Sequence, residues 1–487
     1  MCHKETKIDT NMERRVTFLS DHARAVSSEF SIRQILPTLL AIASGMFLVI
    51  LDSTVMNVAI PKLVDHFGTT LGTIQWVITA YTLALAAVIP LAGWFSDRFG
   101  AKKVFLSSIV LFVISSVLCT LAQTPEQLIV YRIIQGLGGG MVAPIGIATT
   151  FRIAPPEKRG SIMGILGIPM LLAPILGPIL SGSLIEYVNW HWIFIINLPV
   201  GMLAFFMAFK YLPATSPSKE MKLDVRGAVL APVAFASLVF SIHQGGEKGW
   251  SDGLALATLA IGVATLLLFI VVELRQKQPL LELRVFRSLP FFHGAILAWL
   301  NQIALFGSLL LFPLYLQQIK GLSPFEAGLY VIPQAIMSTI GINIGGKLFD
   351  KYGARPVVIA GISSLLGALL ALTQISAQTG SIYLLISFAF VGLGQGLTLM
   401  QINSHILKLA PRELVSRVTP ITTSAQQIMS SFGITITTAY LSRQLKHLSS
   451  DASADLGIAF GHTFWITAGV AGLALLVSLF LHKEKKL

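Results

Sequence analysis

Gly93-Trp94-Phe95-Ser96-Asp97-Arg98-Phe99-Gly100-Ala101-Lys102 returns 253 residues later as Gly346-Lys347-Leu348-Phe349-Asp350-Lys351-Tyr352-Gly353-Ala354-Arg355. Both stretches read G-x-x-x-D-basic-aromatic-G-A-basic, and each follows a long apolar run and precedes another. Fourteen such runs are legible, near 35–60, 73–94, 103–122, 127–151, 160–184, 191–210, 227–243, 253–273, 290–313, 326–346, 356–374, 382–407, 418–441 and 459–481. Most are about 20 residues long, the length an α-helix needs to cross a ~30 Å hydrocarbon layer. The repeat joins the second and third runs of two groups of six, with the runs near 227–243 and 253–273 inserted between the groups. Internal duplication of this kind places a substrate site near mid-membrane, between the halves.

The expected organisation is an all-α membrane protein: a tail over 1–34, a six-helix half over 35–214, a linker with two extra helices over 215–289, a second six-helix half over 290–482, and a short end over 483–487. Polar linkers at Thr215–Arg226 and Glu273–Ser288 support these divisions.

Composition points the same way. The chain is 54% hydrophobic and only 12% charged, where a soluble domain carries about 25% charged residues. The net charge of +12 is a matter of topology. Of the 35 Lys and Arg, 29 fall in segments on one side, and five (Lys62, Lys248, Lys320, Arg443 and Lys446) fall in loops on the other. Positive charge collects on the cytoplasmic side, so both termini are expected there, in a cell membrane, and a nucleic-acid partner is not. Cys2 and Cys119 make no disulfide framework. The polar stretch 1–34 has no apolar core of a signal peptide, and the chain lacks a Walker A pattern for nucleotide hydrolysis.

Two charges stand deep inside apolar runs, Asp52 and Arg132. A charge at that depth is costly unless paired, solvated or neutralised, and it marks a pathway by default. Helical rise puts Asp52 ~24 Å in from the start of its span and Arg132 ~22 Å from the same membrane face. The two heights coincide, so an ion pair is expected, either structural or loosened when Asp52 takes a proton.

Several motifs resemble the major facilitator superfamily, and more narrowly its 14-spanner drug:proton antiporter branch of the EmrB/QacA type. Leu51-Asp52-Ser53-Thr54-Val55-Met56-Asn57-Val58-Ala59-Ile60-Pro61 is similar to that branch's first-helix signature, and Gly93–Lys103 to the superfamily's loop motif. Arg132-Ile133-Ile134-Gln135-Gly136 resembles R-x-x-Q-G. Gly164, Gly177, Pro178 and Gly182 fit the antiporter motif, with Ala173 and Ser181 standing where it has glycine. Trp190–Gly201 resembles a W-R-W-I-F-x-I-N-x-P-x-G stretch, with His191 replacing its Arg.

The resemblance implies a major facilitator fold and export of lipophilic, often cationic molecules in exchange for protons, with Asp52 as the coupling acid. It implies that Asp97, Arg98, Gly93 and Gly100 form a latch whose Asp meets a helix N-terminus near Val418–Thr419, with a weaker copy at Asp350. It also implies a bend in the span carrying Gly164, with close contact to the second half.

Amides and aromatics that could line a cavity are Asn57, Gln75, Trp76, Tyr81, Gln135, Asn301, Gln302 and Gln395, because π faces attract cations and amides bond in either sense. Each is equally readable as helix packing. His293, His405 and His462 lie near span ends and are expected at the interface. No cluster has metal-ligand spacing and no nucleophile–base pair suggests an enzyme, so the expected driving force is the proton gradient, with no cofactor. The expected partners are lipophilic substrates, protons and the bilayer, and the short outer loops neither require nor exclude a periplasmic adaptor. Two alternatives stay open: export of a specific metabolite, lipid, amino acid or siderophore, and a non-transporting sensor or scaffold.

Overall fold

A computed structural model describes residues 32–218, 222–447 and 453–481; the tail over 1–31 and the end over 482–487 lie outside the described residues. The described chain is helical throughout. The first half comprises α1 (Ile32–Phe67), α2 (Leu71–Val88), α3 (Ala92–Phe99), α4 (Ala101–Thr120), α5 (Pro125–Ile153), α6 (Arg159–Tyr187), α7 (Trp192–Ile195) and α8 (Asn197–Tyr211). The inserted pair is α9 (Val225–Lys248) and α10 (Gly253–Arg275). The second half comprises α11 (Leu289–Gln318), α12 (Pro324–Tyr330), α13 (Ile332–Tyr352), α14 (Ala354–Leu372), α15 (Ser381–Lys408), α16 (Val415–His447) and α17 (Ser453–Ser478).

Helical segments occupy all fourteen expected positions. Twelve of the described helices are long and apolar enough to cross a membrane, or thirteen if the bent segment 156–187 counts as one span. The segment missing from that count is α16, whose Ser- and Thr-rich sequence carries less apolar surface.

Five helices begin with side chains that satisfy an orphan N–H group of the first turn. Thr70 caps α2 and Thr124 caps α5, where Pro125 supplies a preset φ. Asp224 and Asp252 cap the two inserted helices. Ser323 and Glu326 form a reciprocal capping box on α12. These polar caps sit where the chain leaves the apolar layer.

The buried apolar side chains separate by depth. One cluster joins both halves at the end that carries the repeated loops, combining Met46, Phe151 and Met163 of the first half with Phe291, Met400 and Val415 of the second. Towards the opposite end each half has its own cluster, one built around Val55, Ile74 and Phe194, the other around Phe312, Phe388 and Phe460. The halves therefore share a core at the loop end. A hydrocarbon layer gives helices little hydrophobic reason to associate, so this contact rests on packing and on the polar contacts described below.

The inserted helices dock into the same assembly. Ala231, Phe235 and Phe269 of the pair pack with Ala86 of α2 and Ile421 of α16. The outer flank of α10 stays bare, with Leu267 59% and Leu268 52% exposed, as a lipid-facing surface requires.

Candidate functional site: a buried ion pair and two crossed clasps

Asp52 and Arg132 meet, both with fully buried side chains. Asp52 projects from α1 and Arg132 from α5, and the guanidinium Nη1 donates to Asp52 Oδ2 at 2.5 Å. The other carboxylate oxygen accepts from Asn197 Nδ2 at 2.7 Å and from Gln135 Nε2 at 3.1 Å. Gln135 lies one turn along α5, and its carbonyl accepts a second bond from Arg132 Nη1 at 2.6 Å. Ser116 of α4 closes the ring, accepting from Gln135 at 2.6 Å and from Asn197 at 3.3 Å. Arg132 Nε donates to the carbonyl of Val77 on α2, and the Tyr81 ring lies 3.9 Å from the guanidinium carbon. A cation over an aromatic face in a dry site is stabilised by the ring quadrupole.

Ile196 keeps helical dihedrals, so α7 and α8 run on as one span, Trp192–Tyr211, and Asn197 is fully buried on it, facing the acid. Asn197 stands at the Asn of the Trp190–Gly201 motif, though that motif did not announce its contact with Asp52, and Ser116 had no signal of its own in the sequence, being a neutral residue of a common type in an apolar run.

The remaining cavity candidates are scattered. Trp76 is 44% exposed and stacks on Phe240 of α9, with ring centroids 5.7 Å apart. Its broad face covers the seam between α2 and the inserted helix. Gln75 is half-buried beside it. Tyr81 and Gln135 belong to the ion-pair network. In the second half, Gln302 donates to Ser430 of α16 at 2.9 Å and Gln395 accepts from Gln334 at 3.1 Å, so both bind helix to helix. Asn301 is buried and its Oδ1 has no hydrogen-bond partner. The side chain of Asn57 lies outside the described residues. His405, expected at the interface, is 1% exposed inside α15, where Gly294 of α11 makes room for its ring.

The repeated loops form two clasps that cross between the halves. Asp97 Oδ2 accepts from Ser416 Oγ at 2.7 Å, in the first turn of α16, and Oδ1 accepts from Arg152 Nη2 at 3.3 Å. The contact falls at Ser416 rather than Val418–Thr419 because α16 starts at Val415. Gly93 lies so close to the Ser416 carbonyl that a Cβ there would overlap it, and Gly100 has φ 92°, a conformation that favours glycine. Arg98 bonds the Ser218 carbonyl of the linker at 3.3 Å.

The second clasp, expected to be a weaker copy, has three hydrogen bonds to its carboxylate among the described contacts, against two at Asp97. Asp350 accepts from the backbone N–H groups of Gly160 (2.7 Å) and Ser161 (3.0 Å) and from Ser161 Oγ (2.5 Å). These donors are the open N-terminus of α6, where a carboxylate is favoured by both hydrogen bonding and the helix dipole.

The glycine-rich motif serves both contacts. Gly164 sets α6 against Ile342 of α13 in the other half, whereas Gly177 sets it against Thr54 of α1. Gly182 has nothing within 4 Å of a Cβ, so no packing contact explains it, and the side chain of Pro178 lies outside the described residues. The segment bends by 41° between Pro174 and Ile179.

The family model of the Major Facilitator Superfamily matches residues 42–434. The chain belongs to the major facilitator superfamily. The multidrug resistance protein B homolog of Mycobacterium tuberculosis is 34% identical over 83% of this chain and 75% of its own. The lincomycin resistance protein LmrB of Bacillus subtilis is 29% identical over 93% and 97%. These relatives bear out the branch read from the motifs. The proton:xylose symporter XylE superposes with TM-score 0.66 at 16% identity, covering 94% of this chain and 98% of that one, a likeness of fold. The protein is thus a multi-pass membrane transporter.

Two outcomes follow from the geometry. Asn197→Ala removes one of the donors to Asp52 and should destabilise the protein by about 1–3 kcal/mol, the penalty for an under-satisfied buried charge, read as a lower thermal midpoint of the purified transporter. For the clasps, a cysteine replacing Ile342, 2% exposed against Gly164, should react with maleimide faster after Asp350→Asn, by at least as much as after Asp97→Asn. A faster reaction only in the Asp97 variant would reverse the ranking of the two clasps.

Proposed function

We propose that the protein is a proton-coupled exporter in the cell membrane, with both termini cytoplasmic, that moves lipophilic, often cationic small molecules outward by alternating access. The observation that carries this reading is the Asp52–Arg132 pair: one acid and one base, fully buried at mid-depth, ringed by neutral donors and acceptors from α2, α4, α5 and α8.

Protonating Asp52 removes its charge, and the Arg132–carboxylate contact loses most of its strength. Gln135 and Asn197 can still bond a neutral carboxyl, so the site tolerates both states. A protonation change that weakens one contact among several is what a coupling site needs. Each pH unit across the membrane supplies about 1.4 kcal/mol per proton, enough for a tenfold substrate gradient in one-for-one exchange. The proton gradient is the energy source in this reading, and no cofactor takes part. Relatives named for multidrug and lincomycin resistance support efflux as the direction of use.

The clasps complete the cycle. Both lie at the end where the halves share a core, the cytoplasmic end by its charge, so this arrangement has the inner side shut. Proton binding at Asp52 changes the packing between α1 and α5 and with it the balance that opens the clasps.

The test is transport in inverted vesicles. An imposed pH gradient, acid inside, should drive ethidium uptake by the wild type. Arg132→Ala should abolish it, and Arg132→Lys should keep part of it, since charge survives but the planar fork does not. Full uptake by Arg132→Ala would overturn the coupling role. A correctly inserted wild type that ignores ethidium and similar cations would replace the multidrug reading with a narrow native substrate.

A further inference from the structure

A second pair of buried acids lies far from Asp52, at the root of the inserted helices. Asp224 caps α9: its Oδ1 accepts from Gly227 N at 3.1 Å and from Gln276 Nε2 at 3.1 Å. Glu273 sits in the last turn of α10, and its Oε2 accepts from Leu281 N at 3.1 Å. The residues are 7% and 1% exposed. One oxygen of each is left without a donor, Asp224 Oδ2 and Glu273 Oε1. Both of these oxygens crowd the α-carbon of Gly227, where a Cβ would overlap Glu273 Oε1 and lie 2.8 Å from Asp224 Oδ2. Both free oxygens lie within 3 Å of the same point beside Gly227, so the two acids open toward one another.

Two buried acceptors aimed at one another repel unless something stands between them. A hard cation wants about six oxygen ligands, and this pair offers two free ones. A proton needs only two. Leu281, which donates its N–H to Glu273, belongs with Leu280 and Phe269 to an apolar cluster that also takes in Ala86 of α2 and Ile421 of α16. Among charged groups, the 276–288 connection brings up Glu282, which lies 3.6 Å from Arg284, and Arg284 also donates to the Gln276 carbonyl at 2.5 Å. Arg226 and Arg275 are exposed.

We propose that Asp224 and Glu273 form a proton-binding site separate from Asp52, holding one proton between Glu273 Oε1 and Asp224 Oδ2. The proton comes from water on the side of the membrane that carries the two clasps. With it, the site has charge −1 and a carboxyl–carboxylate hydrogen bond. When it returns to water, charge −2 remains and the two oxygens repel. Gln276 and Leu281 tie the connection to this pair, and the connection leads directly into α11, so losing the proton loosens the tether between the inserted helices and the second half.

The experiment uses the purified full-length protein in detergent, melted from mildly acidic to mildly alkaline pH. A folded state that holds an extra proton loses stability as pH rises, so the wild-type midpoint should fall with pH. Glu273→Gln and Asp224→Asn each substitute an amide donor that needs no proton, and each should flatten that fall. Infrared difference spectra between the two pH extremes should show a protonated carboxyl signal in the wild type that is reduced in either variant. Unchanged pH dependence and an unchanged carboxyl signal in both variants would overturn the proposal. If the variants do not fold, the wild type decides: a midpoint that ignores pH but rises with added sodium or magnesium would show a cation site instead.

Discussion

A carboxylate inside a hydrocarbon layer must have a partner, and in this transporter that constraint organises the first half. Asp52 and Arg132 are both fully buried and meet, so each offsets the other's cost of leaving water. The pair in turn fixes its neighbours. Gln135 must turn its carbonyl to the guanidinium and its amide to the acid, Ser116 must face the same point, and α8 must present Asn197 to it. Five helices are registered by one charge pair. Neutral packing alone, with lipid tails as apolar as the helices, would specify that register far less tightly.

The halves are held by a different device, one that is easier to undo. The two clasps place an aspartate of each half against the first turn of a helix of the other. Both bonds lie near water at the end of the bundle, where hydrogen bonds exchange with solvent at little net loss. Buried charges therefore set the arrangement within a half, and solvent-near carboxylates set it between halves. A protein that must keep its halves intact while moving them apart needs that division. The halves share a core at the clasp end, and at the other end they still touch where Gly328 of α12 packs on Ile179 of α6.

Much of this was legible in the sequence, for reasons that differ by residue. The meeting of Asp52 and Arg132 followed from helical rise, since two charges at equal depth in apolar runs have few other partners. The loop repeat marked the clasps because glycine and aspartate at fixed spacing carry their geometry with them. The stacking of Trp76 on Phe240 was hidden because Phe240 lies on an inserted helix whose docking no local pattern announces. The strength of the Asp350 clasp was hidden because its donors are backbone groups at Gly160 and Ser161, which carry no side-chain signature. His405 stands near the end of its span but is turned into the protein, and span position alone does not report the direction a side chain faces.

The central claim is that the Asp52 carboxyl exchanges its proton in step with substrate. The direct measurement is proton release from purified, weakly buffered protein on adding a lipophilic cation such as ethidium. The account predicts release from the wild type and none from Asp52→Asn, with the variant still folded. Equal release from both proteins would show that the coupling proton sits elsewhere and would contradict it.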